Sequence, residues 1–183
     1  MKILNKIILI TGGARSGKSR FAEKTADAIS GKVLYVATAI AIDDEMKERI
    51  AHHRKTRPPE WKTFEGYKGF EREQFVVLAK EFDVVLVDCL TIMCTNIILE
   101  QPEGASDQEI ETKVLFEVNN LMNALEDAKV TAIFVTNEVG MGLVPEYPLG
   151  RLFRDIAGRV NQRVADRAHE VHICVSGISM KIK

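Results

Sequence analysis

The sequence predicts an α/β sandwich built on a mostly parallel sheet, and three observations predict it. Short, continuously apolar runs recur along the chain: Ile7-Ile8-Leu9-Ile10, Val33-Leu34-Tyr35-Val36, Val84-Val85-Leu86-Val87, Ala132-Ile133-Phe134-Val135 and Val171-His172-Ile173-Cys174-Val175. Runs that do not alternate with polar residues suit strands buried on both faces of a parallel sheet. Longer amphipathic stretches fill much of the space between them, and strand–helix alternation implies right-handed crossovers. Finally, a glycine-rich turn joins the first run to the first helical pattern.

In chain order, the first apolar run leads through that turn into a helix over Lys18 to Ser30, with Gly31 as its stop. A second helix begins at the acidic pair Asp43-Asp44 and ends before Pro58-Pro59. A long helix starts at Ser106-Asp107 and continues to about Ala128, and the last spans roughly Leu149 to Ala168. After Val175, Ser176-Gly177 can reverse the chain, so that Ile178 to Ile182 forms a short antiparallel edge strand.

Composition narrows the function. With 183 residues and no repeat, linker or low-complexity segment, the chain is expected to form one domain over 1–183. A formal net charge of -1 argues against a nucleic-acid partner held by bulk electrostatics. Cys89, Cys94 and Cys174 are too few and too scattered for a disulfide framework or a metal-ligand pattern, and read as buried free thiols. Lys2 and Lys6 precede an apolar run too short for a signal peptide, and no segment approaches the ~20 apolar residues of a membrane span. The cytoplasm is the expected location.

The chemistry begins at Gly12-Gly13-Ala14-Arg15-Ser16-Gly17-Lys18-Ser19, a full match to G-x-x-x-x-G-K-[ST] between an expected strand and an expected helix. Backbone N–H groups of such a loop turn around phosphate oxygens, and the helix N-terminus adds partial positive charge. Lys18 is expected to reach the β and γ phosphates, and Ser19 to ligate Mg²⁺. Asp88 closes the run Val84–Val87, at the strand end where a P-loop protein holds or orients the metal. The alternative for Asp88 is a cap on the following helix.

In the second helix, Met46, Ile50, His53 and Arg57 are spaced 4, 3 and 4 apart and share one face, whereas His52 points away by roughly 100°. His53 therefore reads either as a core-edge histidine or as a nucleophile able to attack phosphorus, with Arg54 and Arg57 near enough in sequence to neutralise phosphate charge.

Five blocks and a tail, spread over nearly the whole chain, then point to a family. They are Ile10 to Arg20; Tyr35-Val36-Ala37-Thr38-Ala39 followed by Asp44-Glu45-Met46, Arg49-Ile50, His53-Arg54, Arg57-Pro58 and Trp61; Val87-Asp88-Cys89-Leu90-Thr91 with Thr95-Asn96; Val135-Thr136-Asn137-Glu138-Val139-Gly140-Met141-Gly142-Leu143-Val144-Pro145; Phe153 to Gln162; and Val175-Ser176-Gly177-Ile178. The chain resembles the bifunctional adenosylcobinamide kinases and adenosylcobinamide-phosphate guanylyltransferases of cobalamin biosynthesis. The fourth and fifth blocks carry the specificity, while the stretches from Gly66 to Phe82 and from Glu100 to Val130 match loosely.

The resemblance implies a RecA-like P-loop NTPase sandwich that phosphorylates the aminopropanol hydroxyl of adenosylcobinamide with ATP or GTP. It then transfers GMP from GTP to that phosphate through a histidine phosphoramidate, releasing pyrophosphate. In the family pattern the histidine precedes an Arg-x-x-Arg-Pro stretch, which maps to His53 ahead of Arg54-Lys55-Thr56-Arg57-Pro58. Nucleotide contacts map to Gly12, Gly13, Ala14, Arg15, Ser16, Gly17, Lys18 and Ser19, to Ala37, Thr38 and Ala39, to Arg54, Lys55, Thr56 and Arg57, to Glu65 and to Asp88. Ala39 stands where such proteins often carry serine, so a hydroxyl contact is expected to be absent there. The resemblance further implies a homotrimer.

Glu138, at the ligand-binding edge, is a candidate base for the kinase step, or else organises the loop Gly140–Gly142. Arg154, Arg159 and Arg163 read as a solvated or interface face of the last helix, with corrin side groups as an alternative contact. Two rival functions stand beside the main one: a P-loop small-molecule kinase without guanylyl transfer, and a GTP-binding regulatory subunit without turnover.

Overall fold

A computed structural model describes residues 5–40, 44, 47–48 and 58–183. The elements, in chain order, are β1 (Ile7–Gly12), α1 (Lys18–Ile29), β2 (Val33–Ala37), β3 (Lys62–Glu65), α2 (Glu73–Ala79), β4 (Val84–Asp88), α3 (Leu90–Leu99), α4 (Asp107–Ala128), β5 (Thr131–Val135), α5 (Pro148–Arg167), β6 (Glu170–Val175) and β7 (Ile178–Lys181). They build one seven-stranded sheet in the order β3-β2-β4-β5-β1-β6-β7. All pairings are parallel except β6 with β7. This is the P-loop sandwich that the sequence predicts, with its antiparallel C-terminal edge.

The apolar runs are continuous because successive residues enter different cores. Leu9, Leu34, Val36, Val85, Val87 and Phe134 pack on one face with α2, α3, α4 and α5. Ile8, Ile10, Val33, Tyr35, Leu86 and Val135 pack on the other with Ala22 and Ala26 of α1 and with Trp61. A period of two with both sets apolar leaves few polar positions in the strand.

The helix ends follow local chemistry. Ser106 starts α4 in a capping box, its hydroxyl accepting from the Glu109 N–H while the Glu109 carboxylate accepts from the Ser106 N–H. Pro148 occupies the first turn of α5, where its missing N–H costs nothing. The structure moves the expected bounds by one residue: α1 ends at Ile29 and α5 runs from Pro148 to Arg167. β7 likewise stops at Lys181.

β3, α2 and α3 are additions to the sequence reading. β3 is an edge strand whose residues are mostly exposed, so it carries no apolar run. α3 is buried almost all round, which removes the amphipathic period that would have marked it. The helix expected from Asp43 to Pro58 lies almost wholly outside the described residues.

The sheet's far edge is pinned by charge. Glu170 of β6 accepts from Lys6 Nζ at 2.8 Å and pairs with Lys181 Nζ at 3.1 Å. The Lys6 hydrogen bond, followed by that of Lys181, holds the Glu170 carboxyl down at about 2. A depressed carboxylate pKa stabilises the fold above its unfolded value, and that contribution fades as pH falls toward the folded one. Glu170→Gln should therefore lower Tm by a few degrees at pH 7, on the order of 1 kcal/mol because both lysines are solvated. The gap to the parent protein should shrink steadily below about pH 4.5. Parallel thermal melts from pH 7 to pH 2.5 check this, and a gap that stays constant with pH would contradict it.

Candidate active site

Register collects the expected site at one end of the sheet. Asp88 pairs with Val135 on one side and Ala37 on the other, Ala37 pairs with Glu65, and Val135 pairs with Ile10. One row across five strands thus carries Glu65, Ala37, Asp88, Val135 and Ile10, all at or near strand C-termini. This is the edge where open α/β sheets bind ligands.

β1 delivers the phosphate loop. Ser16 N donates to Gly13 O at 3.2 Å, and Phe21 N to Gly17 O at 3.0 Å, so the loop closes tightly into α1. Gly17 precedes α1 at φ 91, a conformation that suits glycine. Gly12 is required for space as well: a Cβ there would lie 2.4 Å from Cys174 O and 2.7 Å from Ser16 Oγ. Lys18 is buried and donates from Nζ to Gly13 O at 3.0 Å, which bends its ammonium back over the loop. Gly13, Ala14 and Arg15 are exposed, and Ser19 is half-buried. Ser16 Oγ is buried without a hydrogen-bond partner among the described residues.

A buttress supports the loop from the C-terminal hairpin, where the sequence predicts only an edge turn. Gly177 N donates to Ser16 O at 2.9 Å, and a Cβ on Gly17 would stand 3.1 Å from Gly177 Cα.

Asp88 does not cap α3. The residue at the cap position is Cys89, which makes no side-chain cap bond, while Asp88 Oδ2 accepts from Tyr35 Oη at 2.7 Å. The segment around it is held by Thr38, whose hydroxyl accepts from Cys89 N and donates to Cys89 O, both at 2.8 Å. Asn96 Nδ2 adds a bond to Thr38 O at 2.8 Å. Thr38 is buried, so its side chain serves the scaffold; any nucleotide contact along Ala37, Thr38 and Ala39 falls to other atoms.

The β5 edge is built the same way. Thr136 Oγ1 donates to Asn161 Oδ1 at 2.7 Å and lies 3.3 Å from Thr91 Oγ1. Thr91 Oγ1 accepts from Asn137 N, and Asn161 Nδ2 donates to Asn137 O. This buried chain ties α3 and α5 to the strand end that carries Glu138. Glu138 N donates to Gly12 O at 3.1 Å, so the residue lies against the phosphate loop. Its Oε1 accepts from Gly140 N at 3.3 Å, the loop-organising contact.

Charge at this edge is concentrated. Burial, then the Asp88 carboxylate, pushes the Cys89 thiol up to about 11, with the Lys18 ammonium opposing it. Burial pushes Cys94 up to about 12 and also raises Cys174. All three cysteines are free and buried, so none is a ready thiolate. Arg159 of α5 pairs with Glu111 of α4, and Arg154 lies 3.7 Å from Asp155, so of Arg154, Arg159 and Arg163 the first two engage neighbours on the helical layer.

The donor set fits a hard divalent cation. A serine hydroxyl at the start of α1 and a carboxylate at the end of β4 are oxygen ligands of the kind Mg²⁺ takes. Among the described residues no cluster of three or more His, Cys, Asp or Glu side chains forms a cage. Mg²⁺ usually takes one or two protein oxygens and completes its shell with water and substrate phosphates. His53, Arg54, Lys55, Thr56 and Arg57 lie outside the described residues, whereas Glu65 stands on β3 in register with Ala37.

A phosphate loop on β1, a carboxylate on β4 and one strand between them define a P-loop nucleotide-binding protein. Comparison with known proteins refines this. The family model described as cobinamide kinase / cobinamide phosphate guanyltransferase matches residues 8–182, and the chain belongs to that family. It is 46% identical over 182 residues to the bifunctional adenosylcobalamin biosynthesis protein CobU of Escherichia coli, covering 97% of this chain and 99% of the relative. It is 45% identical to the protein of the same name from Salmonella typhimurium, again covering 97% and 99%. The bifunctional adenosylcobalamin biosynthesis protein CobP of Pseudomonas aeruginosa is 39% identical, covering 96% of each chain. No described helix is long and apolar enough to cross a membrane.

Proposed function

We propose that the chain phosphorylates adenosylcobinamide with ATP or GTP and then transfers GMP from GTP to the resulting phosphate, giving adenosyl-GDP-cobinamide and pyrophosphate. The observation that carries this reading is the convergence of Gly12–Ser19, Asp88 and Glu138 on one sheet edge, in a chain of the family just named. Both half-reactions move a phosphorus centre away from a polyphosphate, so both need the same loop, ammonium and carboxylate.

Lys18 stands to offset charge on the β and γ phosphates. Ser19 and Asp88 would hold Mg²⁺, which supplies charge neutralisation on the polyphosphate when bound. In the guanylyl half, a neutral His53 nitrogen attacks the α-phosphorus of GTP. The N–P bond forms as the α–β bridging bond breaks, and pyrophosphate leaves. A phosphate oxygen of the corrinoid then attacks the same phosphorus and returns the electron pair to the imidazole. Arg54 and Arg57 stand to neutralise the phosphates beside it.

In the kinase half, Glu138 is our candidate to take the hydroxyl proton. Its 3.3 Å bond from Gly140 N engages Oε1 alone, and a carboxylate has further lone pairs to take that proton. We further propose that residues 1–183 act as one domain, that the enzyme works in the cytoplasm, and that it assembles as a homotrimer.

The test supplies the pure protein with adenosylcobinamide, Mg²⁺ and nucleotide labelled at either phosphorus. Label from the γ-phosphate should enter the corrinoid first, and label from the α-phosphate of GTP should follow with release of pyrophosphate. Transfer of γ label alone would leave a small-molecule kinase. Nucleotide binding with no transfer of either label would leave a regulatory subunit.

A further inference from the structure

We propose that Tyr35 is a positioning residue for the metal site: its hydroxyl, bonded to Asp88 Oδ2 at 2.7 Å, fixes the carboxylate that would hold Mg²⁺. The inference rests on the metal reading above and assigns a role to a residue so far counted only as core.

Tyr35 is buried on the α1 face of the sheet, in an apolar cluster with Ile8, Ile10, Leu86 and Val135. A phenylalanine would fill that volume without needing a polar partner. What the hydroxyl adds is a bond to the carboxylate at the end of the neighbouring strand. Parallel pairing of β2 with β4 sets this up, because Tyr35 stands opposite Leu86, two residues before Asp88 and on its side of the strand.

The rest of the Asp88 surroundings points the same way. Thr38 N donates to Asp88 O at 3.3 Å, and the Thr38 hydroxyl clamps both backbone groups of Cys89. β2 and its continuation therefore fix the Asp88 backbone through Thr38 and its side chain through Tyr35. With Oδ2 held, Oδ1 is the oxygen that Tyr35 leaves for the cation or its water shell. Restricting its rotation orients the carboxylate in advance, and groups that orient metal ligands from behind typically change metal affinity or activity about 10- to 100-fold when lost.

The experiment compares the parent protein with Tyr35→Phe, both saturated with the α,β-methylene analogue of GTP. Free Mn²⁺, a spectroscopic substitute for Mg²⁺, is followed by electron paramagnetic resonance during titration. Nucleotide affinity without metal is measured separately by equilibrium dialysis in EDTA. The expected result is about tenfold weaker Mn²⁺ binding with unchanged metal-free nucleotide affinity. Equal Mn²⁺ affinity, or an equal loss of metal-free affinity, would overturn the proposal.

Asp88→Asn, alone and combined with Tyr35→Phe, closes the cycle. If Tyr35 acts through Asp88, the second substitution changes Mn²⁺ binding no further; an additive loss counts against it. A parent protein that takes up no Mn²⁺ beside the nucleotide would remove the metal reading itself, and this inference with it.

Discussion

Lys18→Ala is expected to lower both phosphoryl and guanylyl transfer by about 10²- to 10³-fold, the usual cost of losing a fixed group aimed at charge developing in a transition state. Lys18 lies at the N-terminus of α1, buried, with its ammonium bonded to Gly13 O at 3.0 Å. That position is set before nucleotide arrives, by the tight loop closure and by the hairpin contact of Gly177 with Ser16. A charge held in a partly dry site acts more strongly than one in water, and it needs no reorganisation as the reaction proceeds. The loss should fall mainly on kcat, because charge on the departing oxygen grows along the reaction. Lys18→Arg should restore little, since a planar guanidinium cannot replace a compact ammonium folded over the loop. Initial rates with each label, beside thermal melts for folding, measure this. Rates within tenfold of the parent protein would remove Lys18 from the mechanism.

The readability of this chain differs from segment to segment for physical reasons. The phosphate loop was legible because its chemistry demands particular residues at fixed spacing, and β1, β2, β4 and β5 because each buries both faces. The start of α4 was legible at Ser106-Asp107, and the structure adds the reciprocal bonds between Ser106 and Glu109 that fix it. β3 was hidden because an exposed edge strand needs no apolar run, as Lys62-Thr63-Phe64-Glu65 illustrates. The supporting shell of the site was hidden more deeply. Nothing in the types Tyr35, Thr38, Thr91, Thr136 and Asn161 marks them as partners, because their contacts cross strands and helices far apart in sequence. A polar residue inside an otherwise apolar strand, as Tyr35 is, was the one signal available. A buried hydroxyl needs a partner, and on β2 that partner is the strand-end carboxylate next door. Glu117 is a similar case: it looks like a surface residue of α4, yet it is buried and accepts from Gly69 N at 3.1 Å and Lys113 Nζ at 2.8 Å.

His53→Ala is expected to abolish guanylyl transfer while phosphoryl transfer persists. The imidazole forms its bond to the α-phosphorus, and the kinase step breaks a bond at the γ-phosphorus, so only one half-reaction loses its nucleophile. GTP labelled at the α-phosphorus, given with Mg²⁺ and no corrinoid, should leave label on the parent protein that is acid-labile and alkali-stable, as a phosphoramidate is. That label should vanish in His53→Ala and survive in His52→Ala. The contrast follows from the sequence spacing of 4, 3 and 4 over Met46, Ile50, His53 and Arg57, which on an ideal helix would place these four on one face and turn His52 away by roughly 100°. Label lost only in His52→Ala would keep the covalent route and move the nucleophile one position, overturning the face argument. A protein that binds GTP and takes no label would exclude the covalent route. The phosphate loop, Lys18 and Asp88 would then support a kinase alone, since those groups serve transfer from either phosphorus and the histidine serves only one.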